Sequence, residues 1–295
     1  MANANLVEDF TVQLAQQQSS SRAVLVTVER TEGSVPRERG AWMAVFPGQT
    51  INTIGGGHVE LEAIRHARTL LAAPDAVRRG PSDASAYDRR FALGPSLGQC
   101  CGGVVHLRFE RVGADDIPRL RERLAISLMP VALFGGGHVG SALIQALSAL
   151  PFKVSWIDSR DGIFPANVPA NVDCEHSDPV YRAVAGLAKH TRVLIMSFSH
   201  AEDIDVVAAC LARNRAGRLA GGVISGTAEL PYIGLIGSKT NWATFRRRLE
   251  ERGFTPQELA SVTCPIGVPG IQGKEPEVIA VAVAAQLLQQ RAATD

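Results

Sequence analysis

No stretch of the 295-residue chain approaches the roughly 18 consecutive apolar residues that a membrane-spanning helix needs. No C-x-x-C pair occurs among its five cysteines, Cys100, Cys101, Cys174, Cys210 and Cys264. A structural zinc site or an iron–sulfur cluster needs several thiolates at compatible spacing, so neither is expected. An odd number of cysteines also suits a reducing compartment better than a disulfide framework. Charge of one sign is missing too: 30 basic side chains face 29 acidic ones, for a formal net charge of +1. Without long-range attraction for nucleic acid or an anionic membrane, any anion must be met locally. The first twenty residues carry Glu8 and Asp9 and a glutamine-rich stretch, where a secretory signal would need a basic start and an apolar run. These absences predict a cytoplasmic protein with no nucleic-acid partner and no membrane association.

What remains is ordinary globular composition, 46% hydrophobic and 20% charged, at a length that suggests about two domains. Residues 6–17 read as an opening helix and 23–28 as a buried strand. Residues 42–46 and 50–54 read as a strand pair turned by Pro47 and Gly48, and a helical pattern opened by Gly55 to Gly57 runs to residue 71. Residues 74–87 read as a loop, and strand candidates at 89–93 and 104–109 bracket a glycine- and cysteine-bearing segment. From residue 131 onward, strands at 131–134, 153–157, 192–197 and 232–236 alternate with helices, including ones near 180–188 and 203–213; residues 216–230 read as a loop or edge hairpin. That alternation predicts a doubly wound parallel sheet. The expected class is therefore α/β: an amino-terminal α+β domain over 1–113, a linker helix over 114–130 and a Rossmann-like domain over 131–295. The last helix, 275–290, could dock on either domain.

Gly135-Gly136-Gly137-His138-Val139-Gly140 matches G-x-G-x-x-G between a strand and a helix, and the next strand ends at Asp158. Such glycines allow a tight turn and let a pyrophosphate approach the N–H groups of a helix start, while the acid is spaced to hold a ribose. Arg160 is either a second phosphate contact or solvated. A nucleotide or NAD(P) site and a Rossmann scaffold with an altered pocket both fit these residues.

An earlier near copy, Gly55-Gly56-Gly57-His58-Val59-Glu60, has a glutamate in place of the last glycine and is no dinucleotide fingerprint. It reads either as an anion or pterin cradle with His58 or Glu60 as a polar handle, or as a strand-to-helix turn with a helix-start carboxylate. Gly33-Ser34-Val35-Pro36-Arg37-Glu38-Arg39-Gly40 is a polar loop whose arginines are able to grip a phosphate. Gln99-Cys100-Cys101-Gly102-Gly103 sets adjacent thiols beside glycines. These are soft donors for a metal–sulfur cofactor if their pKa is depressed, or small buried hydrophobes if it is not. Ser197-Phe198-Ser199-His200, with Asp203, ends a strand where an open sheet presents ligand residues. His200 reads equally as ligand contact or helix entry.

Together these motifs resemble the XdhC/CoxI family of xanthine dehydrogenase accessory proteins over about residues 22–288. The resemblance also takes in Tyr232 to Lys239, Cys264-Pro265-Ile266-Gly267 and Gly273-Lys274-Glu275-Pro276. The double cysteine favours the XdhC branch. The chain departs from the family pattern at the strand end, where Phe198 stands in place of an expected histidine. The resemblance implies a chaperone that holds molybdenum cofactor while a cysteine desulfurase sulfurates it, then delivers it to the molybdenum subunit of xanthine dehydrogenase. It implies binding without catalytic residues, and a homodimer. Cys100 and Cys101 become candidates for contact with molybdenum, with Arg37, Gly55, Gly56, Gly57, His58 and Glu60 as pocket residues. Gly135, Gly137, His138, Gly140, Asp158 and His200 are candidates in the second domain. The competing readings are a nucleotide- or NAD(P)-dependent oxidoreductase, a molybdopterin-modifying enzyme, and a scaffold with no ligand.

Overall fold

The computed structural model describes residues 3–16, 23–73, 86–93, 102–125, 127–220 and 228–292. The chain divides into two compact units, Ala4–Ala125 and Ile126–Asp295, the first three residues being grouped with the second.

The amino-terminal unit holds α1 (Asn3–Gln16), β1 (Ala23–Glu32), β2 (Trp42–Val45), β3 (Thr50–Asn52), α2 (Gly57–Ala72), β4 (Ala86–Ala92), β5 (Val104–Val112) and α3 (Ile117–Leu124). Its five strands form one antiparallel sheet in the order β3-β2-β1-β5-β4. Because side chains alternate across a strand, β1 and β2 feed two cores. Val24, Val26, Val28, Met43 and Val45 pack with Leu107 and Phe109 beneath Val59, Ala63 and Ala67 of α2. Leu25 and Ala44 face the other way, toward Phe10 and Leu14 of α1 and Leu120 and Leu124 of α3. Phe10 lies 5.6 Å from Trp42 and 6.0 Å from Phe46, ring centre to ring centre. The segment read as a linker helix therefore contributes to the core of this unit. Buried Glu110 ties it down further, accepting from Arg119 and Arg123, both at 2.6 Å.

The second unit holds β6 (Met129–Phe134), α4 (His138–Leu147), β7 (Phe152–Asp158), β8 (Val172–His176), β9 (Arg192–Ile195), α5 (His200–Ala220), β10 (Tyr232–Leu235), α6 (Lys239–Glu251), α7 (Pro256–Leu259), β11 (Val262–Thr263) and α8 (Pro276–Ala292). All pairings in its sheet are parallel, in the order β11-β10-β9-β6-β7-β8. The chain leaves β6 in one direction and returns on its other side at β9, which makes the carboxyl ends of β6 and β9 the switch point of a doubly wound fold. Ala132, Phe134, Val193 and Ile195 face a core shared with α5 and α6. Val131, Leu133, Val154 and Trp156 face one shared with α4 and α8. The last helix thus belongs to this unit.

Three local readings are corrected. Strand β8 was not foreseen, because only Val172 of its five residues is buried and an exposed edge strand carries no apolar run. The segment 180–186 is a 3-10 helix rather than an α-helix, preceded by Pro179 in an extended conformation. Helix α5 runs to Ala220, through residues read as a loop; Asn214 holds that end by exchanging hydrogen bonds with the backbone of Leu230.

Leu120→Ala tests the place of α3. A fully buried leucine truncated in a packed core loses about 2–4 kcal/mol. Urea unfolding of the full chain should show that loss; a change within about 0.5 kcal/mol would mean that the helix behaves as a linker.

Candidate functional sites

In the amino-terminal unit, β1 and β5 are neighbours in register, with Glu32 opposite Val104. The loop that leaves β1 therefore meets the residues that enter β5. A Cβ on Gly103 would sit 2.5 Å from the carbonyl oxygens of both Glu32 and Ser34, so only a glycine lets the loop 33–37 close over this point. The same loop touches the turn before α2: a Cβ on Gly55 (φ +119°) would lie 2.7 Å from Pro36. Arg37 reaches the Thr53 carbonyl at 3.5 Å. Loop 33–37 is thus the middle of three converging segments, with the Gly55-Gly56-Gly57 turn on one side and Gly102-Gly103 on the other.

Glu60 reaches back from the first turn of α2 to brace this arrangement. One carboxylate oxygen accepts from the backbone N–H of Ile54 at 3.0 Å, that of Gly56 at 3.1 Å and the Thr53 hydroxyl. Its geometry is that of a loop brace. Gly56 has no heavy atom within 4 Å of its absent side chain, and His58 is 41% exposed, 3.9 Å from Glu62. Cys100 and Cys101 lie outside the described residues. The ends that flank their segment are joined, Leu93 N–H donating to the Gly103 carbonyl at 2.8 Å.

In the second unit, the glycines between β6 and α4 are packed unequally. A Cβ on Gly135 would fall 2.0 Å from the Met196 carbonyl oxygen, and one on Gly140 would fall 2.2 Å from the Gly135 carbonyl oxygen. That oxygen accepts the indole N–H of buried Trp156 at 2.9 Å. Beside this turn lies a cleft of about 540 Å³ lined by Gly136, Gly137, His138 and Arg160 and by Pro276 and Glu277 at the start of α8. The α8 residues were missed as cleft residues; a proline at a first helical position was the available signal.

Asp158 does not face the cleft with a free oxygen. Its side chain is 1% exposed and accepts from Gly136 N–H at 2.6 Å and from the backbone N–H, Nε and Nη2 of Arg160, each at 2.9 Å. Burial pushes its pKa upward, but the bonds from Arg160 and Gly136 outweigh that and hold it below the ordinary range. Beyond the switch point, Asp203 accepts from the N–H and hydroxyl of Ser197, and Glu202 bridges Ser159 Oγ and Phe198 N–H. His200 packs edge to face on Phe245 at 5.6 Å and does not line the cleft. Burial pushes the Cys264 thiol to about 11, with the charge of Asp203 adding to the rise, and fully buried Cys210 to about 12. Among the described residues, no group of three or more His, Cys, Asp or Glu side chains is placed to hold a metal ion, and no helix is long and apolar enough to cross a membrane.

A family model described as the XdhC Rossmann domain matches residues 131–287. The chain belongs to the XdhC family. A second model, described as the XdhC and CoxI family, matches residues 16–79, which include the 33–37 loop and the Gly55-Gly56-Gly57 turn of this XdhC-family chain. A curated Escherichia coli relative, the uncharacterized protein YqeB, is 24% identical over 262 residues, covering 88% of this chain and 42% of its own. The chain therefore spans less than half the length of that relative. The crystal structure of a protein described as a xanthine dehydrogenase from Bacillus halodurans superposes with a TM-score of 0.75 at 18% identity, covering 100% of this chain and 97% of its own, and so shares the fold of this XdhC-family chain.

The lowered pKa of Asp158 sets a sign. A carboxylate with a depressed folded pKa contributes stability in full above its unfolded value, near 3.8, and loses it as pH falls through the folded value. Asp158→Asn should destabilise the chain at pH 7, with the difference from the parent shrinking as pH drops below 3.8; denaturant titrations across pH 2–7 read this out. A difference independent of pH would show that the carboxylate charge is not what holds the turn.

Proposed function

We propose that this XdhC-family chain binds molybdenum cofactor, shelters it while a cysteine desulfurase exchanges an oxo ligand for sulfur, and passes it to the molybdenum subunit of xanthine dehydrogenase. The observation that carries this reading is the meeting, in one unit, of the 33–37 loop, the triple-glycine turn and the glycines that end the double-cysteine segment. The reading includes a cytoplasmic setting, a homodimeric carrier and no turnover by the chain itself.

The donor set fits such a ligand. The bound group supplies a soft metal–dithiolene centre, a hydrogen-bonding pterin and an anionic phosphate. Against the ring edges, the turn offers open space at Gly56 and the half-exposed His58 imidazole. Arg37, with a side chain 31% exposed, offers a guanidinium to an anion or a ring edge. Glu60 keeps the turn open by holding the N–H groups of Ile54 and Gly56, so its role is to preshape the cradle. For sulfur chemistry the described thiols are unpromising. Burial raises the pKa of Cys174, Cys210 and Cys264 alike, which keeps them protonated, and a thiol is neither a good nucleophile nor a good soft ligand. That favours Cys100 and Cys101 for contact with molybdenum or its sulfur.

The oxidoreductase reading rests on the glycine fingerprint. It is weakened by Asp158, whose sealed carboxylate has no site left for a ribose.

The purified 295-residue chain mixed with molybdopterin should retain it through gel filtration, measured as pterin fluorescence and molybdenum content. Cys100→Ala and Cys101→Ala should each be compared, and at least one should lower retention about tenfold or more, as loss of a metal-site group does. Undiminished retention and delivery by both variants would remove the thiols from the pocket; failure of the parent to retain pterin would remove the carrier role.

A further inference from the structure

Each sheet ends in strands that pair on one side only. Among the described residues the longest of these is β4, seven residues at one edge of the amino-terminal sheet. The edges at β8, β3 and β11 are five, three and two residues long. An open edge as long as β4 is a template for a further strand, and the charges it carries decide which strand can join it.

The hydrogen bond from Leu93 N–H to the Gly103 carbonyl fixes which backbone groups of β4 are open. It continues the β4–β5 register, in which Phe91 faces Val105 and Arg89 faces Leu107. Bonded and non-bonded pairs alternate along an antiparallel ladder, so Phe91 and Arg89 direct their N–H and C=O groups inward to β5. Asp88, Arg90 and Ala92 direct theirs outward. Phe91 is buried on the face that α2 covers, which puts the side chains of Asp88 and Arg90 on the opposite face, where both residues are exposed. Neither has an ion-pair partner among the described residues.

A second copy of β4, related by a two-fold axis normal to the sheet, can join this edge antiparallel with like faces matched. Such an axis passes through a residue. Centred on Asp88 or Arg90, it sets that charge against its own copy. Centred on Arg89, the middle of the strand, it sets Asp88 against Arg90 of the second copy twice over, in pairs whose outward N–H and C=O groups meet. Arg89 then faces its own copy on the other surface. Its guanidinium leans along the strand onto Phe91, 5.1 Å from the ring centre, and in an antiparallel pair the two guanidinium groups lean apart. Edge β8 is the contrast: a two-fold centred on any of its three middle residues sets Asp173 or Glu175 against an acid.

We propose that β4 is the contact between two copies of this chain, joined through Asp88–Arg90 pairs so that their five-stranded sheets run on as one. The proposal rests on the homodimeric part of the carrier reading and locates it. The Leu93–Gly103 joints of the two copies then lie at opposite ends of the paired strands, about 27 Å apart at roughly 3.4 Å per residue. Each glycine cradle is therefore complete within one copy, and a dimer holds two cofactors.

The test is the mass of the 295-residue chain, measured by light scattering during gel filtration over a dilution series. The parent should be a dimer. Asp88→Arg and Arg90→Asp each turn the attractive pairs into repulsive ones and should weaken self-association about tenfold or more. Combining both changes in one chain should restore the dimer, and so should mixing the two single variants, since each then meets opposite charges. Glu175→Lys on β8 should leave the mass unchanged. Circular dichroism identifies a variant that fails to fold, and the combined variant carries the test in that case. A monomeric parent would overturn this proposal and the homodimeric reading together. A dimer that both reversals leave intact, or that Glu175→Lys breaks, would overturn this proposal alone, as would a combined variant that folds and stays monomeric. Molybdopterin retention by the monomeric variants should match the parent's, one per chain; its loss there would contradict a cradle completed within one copy, whereas a dimeric parent that retains no pterin would remove the carrier role and leave the interface standing.

Discussion

The closest approaches in both units depend on side chains that are not there. Gly103 lets two backbone carbonyls come within 2.5 Å of where its Cβ would be; Gly135 does the same for the Met196 carbonyl, and Gly140 for the Gly135 carbonyl. Gly103 and Gly135 each sit where one loop crosses another at the end of a strand, and Gly140 lets the first turn of α4 close onto the glycine turn before it. In the amino-terminal unit the crossing draws together the segments that follow β1 and β3 with the one that precedes β5. In the second unit it seats the start of α4 against the end of β9. Any larger residue at these positions would push the loops apart, and the surfaces they form would open.

Carboxylates then hold what the glycines permit. Glu60 accepts from Ile54 and Gly56, Asp158 from Gly136, Asp203 from Ser197 and Glu202 from Phe198. In every case an acid beside a strand end or a helix start takes the N–H of a turn that would otherwise be free. A bond of this kind to a charged group contributes about 1.5–3 kcal/mol, enough to fix a short loop in one shape. The consequence is that these acids are spent on fixing the shape of the turns beside them.

Much of this was legible in the residues. The run Phe134 to Gly140 sits on the predicted strand, turn and helix, and the parallel sheet follows from the alternation downstream. The two readings left open for Glu60 were separable only by distance, since the same spacing serves a ligand handle and a turn brace. Asp158 looked like a ribose acid because its place in the pattern is right; its commitment to Arg160 depends on a rotamer that spacing does not encode. Strand β8 escaped because its side chains face solvent, and the part of α8 in the cleft escaped because helix 276–292 meets α4 only through tertiary packing. Phe198 was noted as a departure from the family pattern, and the structure gives it a partner in Arg160.

The central claim is that three glycine-bearing segments of the amino-terminal unit act as one binding surface for a metallopterin. Amide hydrogen exchange with and without molybdopterin addresses it directly. Protection should rise together at residues 33–37, 53–60 and 102–103 when the ligand is added. Protection confined to one of these segments, or found only elsewhere in the chain, would contradict it.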